Sequence, residues 1–169
     1  IGAEIISCDS MQVYKGMDIV SSKPCVIMRS KVRHHLIGII PFSSEYDVAH
    51  YRLQALRAMR GVMGRGRIPL FVGGTGMYAS ALIDGIFKVR SKDEVMRERL
   101  YREAEKRGSA HLHARLSNID PEAAGKIHPN DTRRIVRALE VYSCCGRPIS
   151  QMQKQRKGLA DQYGVRIFC

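Results

Sequence analysis

Two short apolar runs with one long helical pattern between them limit what this chain can fold into. Ile5-Ile6 is a β-branched pair that runs through Ser7 and Cys8 into the acid Asp9. Ile68-Pro69-Leu70-Phe71-Val72 is a second run, closed by Gly73-Gly74. Between them, Tyr46 to Arg65 carries Val48, Tyr51, Ala55, Leu56, Met59, Val62 and Met63 at helical spacing, with Arg52, Arg57 and Arg60 giving a basic outer face. A helix joining two strands of one sheet is a crossover, and crossovers join parallel strands. The expectation is an α/β fold on a parallel sheet, with both apolar runs as buried strands. Ligands of such sheets bind beyond the carboxyl ends of the strands. Asp9-Ser10-Met11-Gln12 follows the first strand and Gly73-Gly74-Thr75-Gly76 the second. Asp9 by itself also reads as an ordinary turn or cap residue. The glycines expose backbone N–H groups to an anion or a ligand's polar edge, or make no more than a tight turn.

Charge points to the partner. The chain of 169 residues has 28 Lys+Arg against 16 Asp+Glu, a net +12. Cations neutralise phosphates and release counterions, so this balance suits a polyanion. The excess is denser after residue 88: 11 cations against 6 acids in 1–88, but 16 against 9 in the shorter stretch 89–157. That second stretch is helical in pattern, with helices expected over 92–107, 110–116, 121–127, 131–145 and 148–157. Asp120-Pro121 forms one start, and Asp131 or Thr132 caps another that stops at Gly146. Arg133, Arg134 and Arg137 fall within little more than one turn, so two or three can reach one phosphate run, or stand solvated. Val165-Arg166-Ile167-Phe168 reads as a strand returning to the sheet. The organisation expected is an α/β core over 1–88, a basic helical insertion over 89–157, and a return strand within 158–169.

Other features narrow the class. No apolar run approaches the length of a membrane span. Cys8, Cys25, Cys144, Cys145 and Cys169 form no Cys-x-x-Cys pair, which suggests reduced thiols in the cytoplasm. His34 and His35 are adjacent, and neighbours on a strand point to opposite faces, so a shared metal is not expected. Ser21-Ser22-Lys23-Pro24 could bind phosphate or be loop chemistry alone. No Gly-x-x-x-x-Gly-Lys-Ser/Thr loop occurs in the sequence. The opening Ile1-Gly2-Ala3-Glu4 has no initiator Met and reads as a helix end followed by a strand start, so a fragment is expected.

Taken in order, Glu-Ile-Ile-Ser-x-Asp-Ser-Met-Gln-Val-Tyr at 4–14, Gly-Met-Asp-Ile at 16–19, Lys-Pro at 23–24 and His-His-Leu-Ile at 34–37 resemble the tRNA dimethylallyltransferases, also called tRNA isopentenyltransferases. So do Val-Gly-Gly-Thr-Gly-x-Tyr at 72–78, His-Pro-Asn-Asp-x-x-Arg-Ile-x-Arg-Ala-Leu-Glu-Val at 128–141 and Gly-Arg-Pro-Ile-Ser at 146–150. The resemblance implies a core of the nucleotide-binding, phosphate-loop NTPase type, truncated here. It implies transfer of a dimethylallyl group from its diphosphate, with Mg2+ on the diphosphate, to N6 of the adenine 3′ of the anticodon. The implied partners are a tRNA anticodon stem-loop and dimethylallyl diphosphate, with no membrane, and the protein is expected as a monomer.

Residue by residue, the resemblance makes Asp9 the general base and Thr75 a polar contact in the reaction channel. Ser10, Met11 and Gln12 line the flipped-out base. Arg97 and the run Arg133, Arg134, Ile135, Val136 and Arg137 face tRNA, and Ser21 and Lys23 lie toward the diphosphate. Arg133 stands where Gln is usual and Ser21 where Thr is usual. The family's phosphate loop would lie about twenty residues before Ile1 and further contacts after Cys169, so this chain alone is expected to be inactive. An adenylate isopentenyltransferase should lack the basic insertion, and a small-molecule kinase is disfavoured by Asp-Ser-Met-Gln. A non-catalytic tRNA-binding module is the alternative from another class.

Overall fold

The computed structural model describes residues 2–87 and 93–168. Two compact units divide the chain, one over 1–86 and 157–169, the other over 87–156.

The first unit is built on β1 (Ala3–Ser7), the middle strand of a three-stranded sheet. Both neighbours are parallel to it: β2 (His34–His35) on one side and β3 (Ile68–Val72) on the other, in register from Ala3 opposite Ile68 to Ser7 opposite Val72. The crossover from β2 to β3 is α2 (Val48–Gly64). Asp47 caps α2 by accepting from the Ala49 and His50 amides, and Tyr51, Ala55, Met59 and Val62 form its buried stripe. That stripe packs with Ile6, Cys8 and Leu36, and with Tyr78 and Leu82 from α3 (Gly76–Ile83). A short helix, α1 (Val26–Lys31), precedes β2 and buries none of its residues.

Two expectations change here. β3 is not a fully buried strand: Ile68, Leu70 and Val72 are 56%, 44% and 48% exposed. The three alternate with the less exposed Pro69 and Phe71, so they share one face of β3, and that face has no cover among the described residues. The run 165–168 does not join the sheet either. The chain turns instead on the end of α3, where the Leu159 and Ala160 amides donate to the Leu82 and Ile83 carbonyls, and Ile167 and Phe168 are left exposed. An apolar run becomes a strand only where an edge in register accepts its hydrogen bonds.

The second unit is entirely helical: α4 (Glu94–Arg107), α5 (Ser109–Ile119), α6 (Pro121–Lys126), α7 (Thr132–Cys145) and α8 (Ile149–Lys154). Lys92, expected to open α4, lies outside the described residues, and Asp93 caps that helix through the Met96 amide. Asp120 caps α6 and Asp131 caps α7, while Gly146 ends α7 in the left-handed conformation. The core joins Leu100, Leu112, Leu116, Ile135, Val136, Leu139 and Ile149. Asp120 does more than cap: its second oxygen accepts from the Ser150 amide, tying the start of α8 to the start of α6. Among the described residues no helix is long and apolar enough to cross a membrane.

Candidate functional site

At the carboxyl end of β1 the chain must leave the sheet, and two hydrogen bonds fix how it does so. The Cys8 amide donates to the Val72 carbonyl at 2.7 Å, extending the ladder by one step, and the Thr75 amide donates to the Cys8 carbonyl at 3.1 Å. The two strand ends are thereby locked side by side. Thr75 Oγ1 accepts from the Ser10 amide at 2.9 Å and donates to Ser10 Oγ at 3.2 Å. Asp9 Oδ1 accepts from the Met11 amide at 2.8 Å and the Gln12 amide at 3.2 Å. Among the described residues Asp9 Oδ2 has no such partner. Gln12 is held at both ends of its amide, by Ser7 Oγ at 3.1 Å and by the Ser21 carbonyl at 3.3 Å. The result is a half-exposed rim with one oriented carboxylate, a threonine–serine hydroxyl pair and a fixed carboxamide. Met11 beside them is 42% exposed.

Gly73 makes this close approach feasible. A Cβ at that position would stand 2.3 Å from the Cys8 carbonyl oxygen, and φ is +156°. Gly73→Ala is expected to separate the two strand ends and destabilise the first unit by at least about 1–3 kcal/mol. A denaturation midpoint equal to wild type would refute that account.

Beneath the rim lies a tight aromatic floor. Tyr51 and Tyr78 stack face to face with centroids 3.9 Å apart at 8°. Burial pushes the Cys8 thiol and both phenols up from their ordinary values. Cys8 is therefore a packed thiol rather than a nucleophile.

Ser21 and Lys23 are occupied structurally. Ser21 Oγ donates to the Met17 carbonyl, and Lys23 Nζ donates to the Tyr14 carbonyl and to Asp18 at 2.7 Å, with its side chain 3% exposed. A diphosphate would have to displace Asp18 to reach that ammonium. His34 and His35 also have local partners: His34 meets the Val32 carbonyl and His35 meets Glu4 at 2.7 Å. Glu4, which sequence reasoning passed over, is buried on β1 and receives two hydrogen bonds from Arg65. Those bonds, with that from His35, hold its carboxyl down at about 2. Its only sequence signal was an acid inside a strand. Among the described residues no group of three His, Cys, Asp or Glu could hold a metal ion.

In the second unit the basic run divides by burial. Arg133 and Arg134 are exposed at the first turn of α7. Ile135 and Val136 are 0% and 1% exposed in the core, so their side chains face away from any partner. Arg97 and Arg137 do not stand free. Arg97 Nη2 bonds both oxygens of Glu140, at 3.0 and 2.9 Å, and Arg137 Nη1 bonds one at 2.9 Å. Glu140 is fully buried, while the two arginine side chains are 33% and 38% exposed. Burial pushes its carboxyl up, but the bonds from Arg97 and then Arg137 outweigh that and hold it below its usual range. Each guanidinium thus has an inner edge fixed on Glu140 and an outer part in solvent. The legible signal was Arg137 and Glu140 three residues apart on one helix.

A parallel sheet with an acid, hydroxyls and a glycine turn at the carboxyl ends of adjacent strands defines an α/β protein, a class whose ligands are received at that edge. The sequence profile of the family described as IPP transferase matches residues 12–169, and the chain belongs to that family. It is 52% identical over 158 residues to a tRNA dimethylallyltransferase of Thermotoga maritima, an alignment covering 94% of this chain and 52% of the relative. A solved structure of a eukaryotic dimethylallyltransferase acting on tRNA is 31% identical and matches with a TM-score of 0.74, over 92% of this chain and 39% of that one. The full-length tRNA isopentenylpyrophosphate transferase of Bacillus halodurans matches at 41% identity and a TM-score of 0.51, over 86% and 48%. This chain spans about half the length of the curated relatives it matches. The expected α/β class, of the phosphate-loop NTPase type seen in these neighbours, and the family resemblance both hold.

Proposed function

We propose that the protein carrying this chain transfers a dimethylallyl group from its diphosphate to N6 of the adenine 3′ of the anticodon in tRNA, in the cytoplasm. The observation that carries the reading is the rim at the end of β1, where Asp9 is oriented by two amides with one oxygen left over. In the proposed reaction N6 attacks the allylic carbon as the bond from that carbon to diphosphate breaks. The N6 proton passes to Asp9. A carboxylate suffices as base, because the amine becomes acidic only as the new bond forms. Ser10, Met11 and Gln12 are proposed to contact the extruded base and Thr75 to keep Ser10 in place. Arg133 and Arg134, with the solvent-facing parts of Arg97 and Arg137, are proposed to bind RNA phosphates. The diphosphate is proposed to enter with Mg2+. The described residues do not form a fitting ligand set for that ion, and no step here passes through it.

The test is transfer of radiolabelled dimethylallyl groups to an anticodon stem-loop RNA, using the 169-residue chain and the longest protein its gene encodes. The chain has no phosphate loop in its sequence, so label is expected with the longer protein and not with the chain alone. RNA binding by the longer protein without any transfer would replace the enzyme reading with that of a binding module.

A further inference from the structure

Phe42 is 70% exposed, although a lone phenylalanine ring gains nothing from water. Its position is nonetheless specific. Pro41 fixes the approach and the Ser44 amide donates back to the Pro41 carbonyl at 3.1 Å, so Phe42 sits in a closed turn. Its ring meets Tyr14 edge to face, with centroids 5.8 Å apart at 64°. That packing braces the ring through one edge and leaves most of it open to solvent. Tyr14 itself is anchored by a bridge to Ile40, next to the bond from the Lys15 amide to the Ile40 carbonyl.

This aromatic pair shares a strip with the proposed base-contacting residues. Segment 38–40 runs alongside 12–15, with the Gly38 amide on the Gln12 carbonyl and the Ile39 and Ile40 amides on that of Val13. Val13 is fully buried while Gln12 and Tyr14 are partly exposed. The Tyr14 amide donates to the Met11 carbonyl at 3.3 Å, so a turn carries the chain from Gln12 to Tyr14 and keeps the two close together. Two residues span at most about 7 Å, which is within reach of a neighbouring nucleotide. Lys15 next to the pair is exposed and cationic. An oriented aromatic face with an adjoining cation is what unpaired bases stack on.

We infer that Phe42, braced by Tyr14, is a stacking platform for an unpaired base of the RNA next to the one received at Asp9, Ser10 and Gln12. The inference rests on the RNA reading proposed above. It deepens that reading by requiring a single-stranded loop rather than a duplex, since only unstacked bases offer a free face.

The chain contains no tryptophan, which makes the test direct. Phe42→Trp introduces one tryptophan at the platform, which is excited selectively over the tyrosines, and Phe42→Ala removes the ring from an exposed turn without touching the core. A labelled anticodon stem-loop RNA is titrated into the longest protein the gene encodes, as wild type and Phe42→Ala, and into Phe42→Trp with emission recorded as the difference from wild type. The platform predicts binding about 5- to 150-fold weaker in Phe42→Ala, the slope of affinity against salt unchanged because no phosphate contact is lost, and quenched Trp emission. A blunt-ended RNA duplex of equal length should not quench. Wild-type affinity in Phe42→Ala, or unquenched emission on a loop that binds, overturns the platform and leaves the RNA reading intact. No binding of the stem-loop by the longest protein the gene encodes, under any salt condition, overturns both.

Discussion

Asp9→Asn in the longest protein encoded by the gene is expected to lower the rate of dimethylallyl transfer by about 10²- to 10⁴-fold while leaving RNA binding within a few-fold of wild type. The reasoning is local. Oδ1 of Asp9 accepts from the Met11 and Gln12 amides, and an asparagine oxygen can accept the same two bonds. The turn therefore survives the substitution. What is lost is a second carboxylate oxygen able to take a proton, since the Asn nitrogen donates instead. Single-turnover transfer with radiolabelled dimethylallyl diphosphate reads the rate, and anisotropy of a labelled stem-loop reads the binding. A rate equal to wild type would remove Asp9 from the chemistry. Equal losses of rate and binding would instead assign it to holding the RNA.

The second large effect concerns stability, at residues first singled out for RNA. Replacing both Arg97 and Arg137 by Ala should destabilise the helical unit by about 3–5 kcal/mol, because it leaves Glu140 as a buried charge without a partner. The pH dependence should also change sign. In wild type the arginine bonds hold the Glu140 carboxyl below its usual value of 4.5. Its contribution is therefore complete above that value and is lost as pH falls through the lowered folded value. In the double variant only burial remains, which raises the carboxyl above its unfolded value. Relative to wild type, the variant should then gain stability as pH falls from neutrality toward 5, a window in which Glu140 adds no pH dependence to wild type. Urea melts of the chain at several pH values measure this. Parallel curves for the two proteins would refute the account.

The rim around Asp9 and the ion cluster at Glu140 both join distant parts of the sequence. Asp9 and Thr75 were each visible at a strand end, but nothing in the order of residues says that Ser10 meets Thr75 across 65 positions. Arg97 and Arg137 were visible as cations. The Arg137–Glu140 pair is local to α7, but that Glu140 also holds Arg97 depends on α4 and α7 packing together, which places a guanidinium of one helix beside an acid of the other.

What the sequence determined by itself was local in cause. The period of 46–65 required a helix with one buried face, Asp120 and Asp131 supplied caps, and Gly146 supplied a stop. Strand–helix–strand order then required parallel pairing, and the motifs, taken in order, carried the family. These follow from short-range sterics and hydrogen bonding, which act between residues a few positions apart. Tertiary structure decided what depends on a partner elsewhere in the chain. It left β3 half-exposed at the sheet edge, kept 165–168 out of the sheet, and buried Ile135 and Val136 behind Arg133 and Arg134. It also tied Lys23 to Asp18 and brought the Phe42 ring onto Tyr14. Exposure and ion pairing are properties of surfaces brought together. A chain read one residue at a time shows which groups are present, and only packing shows which of them remain free to act.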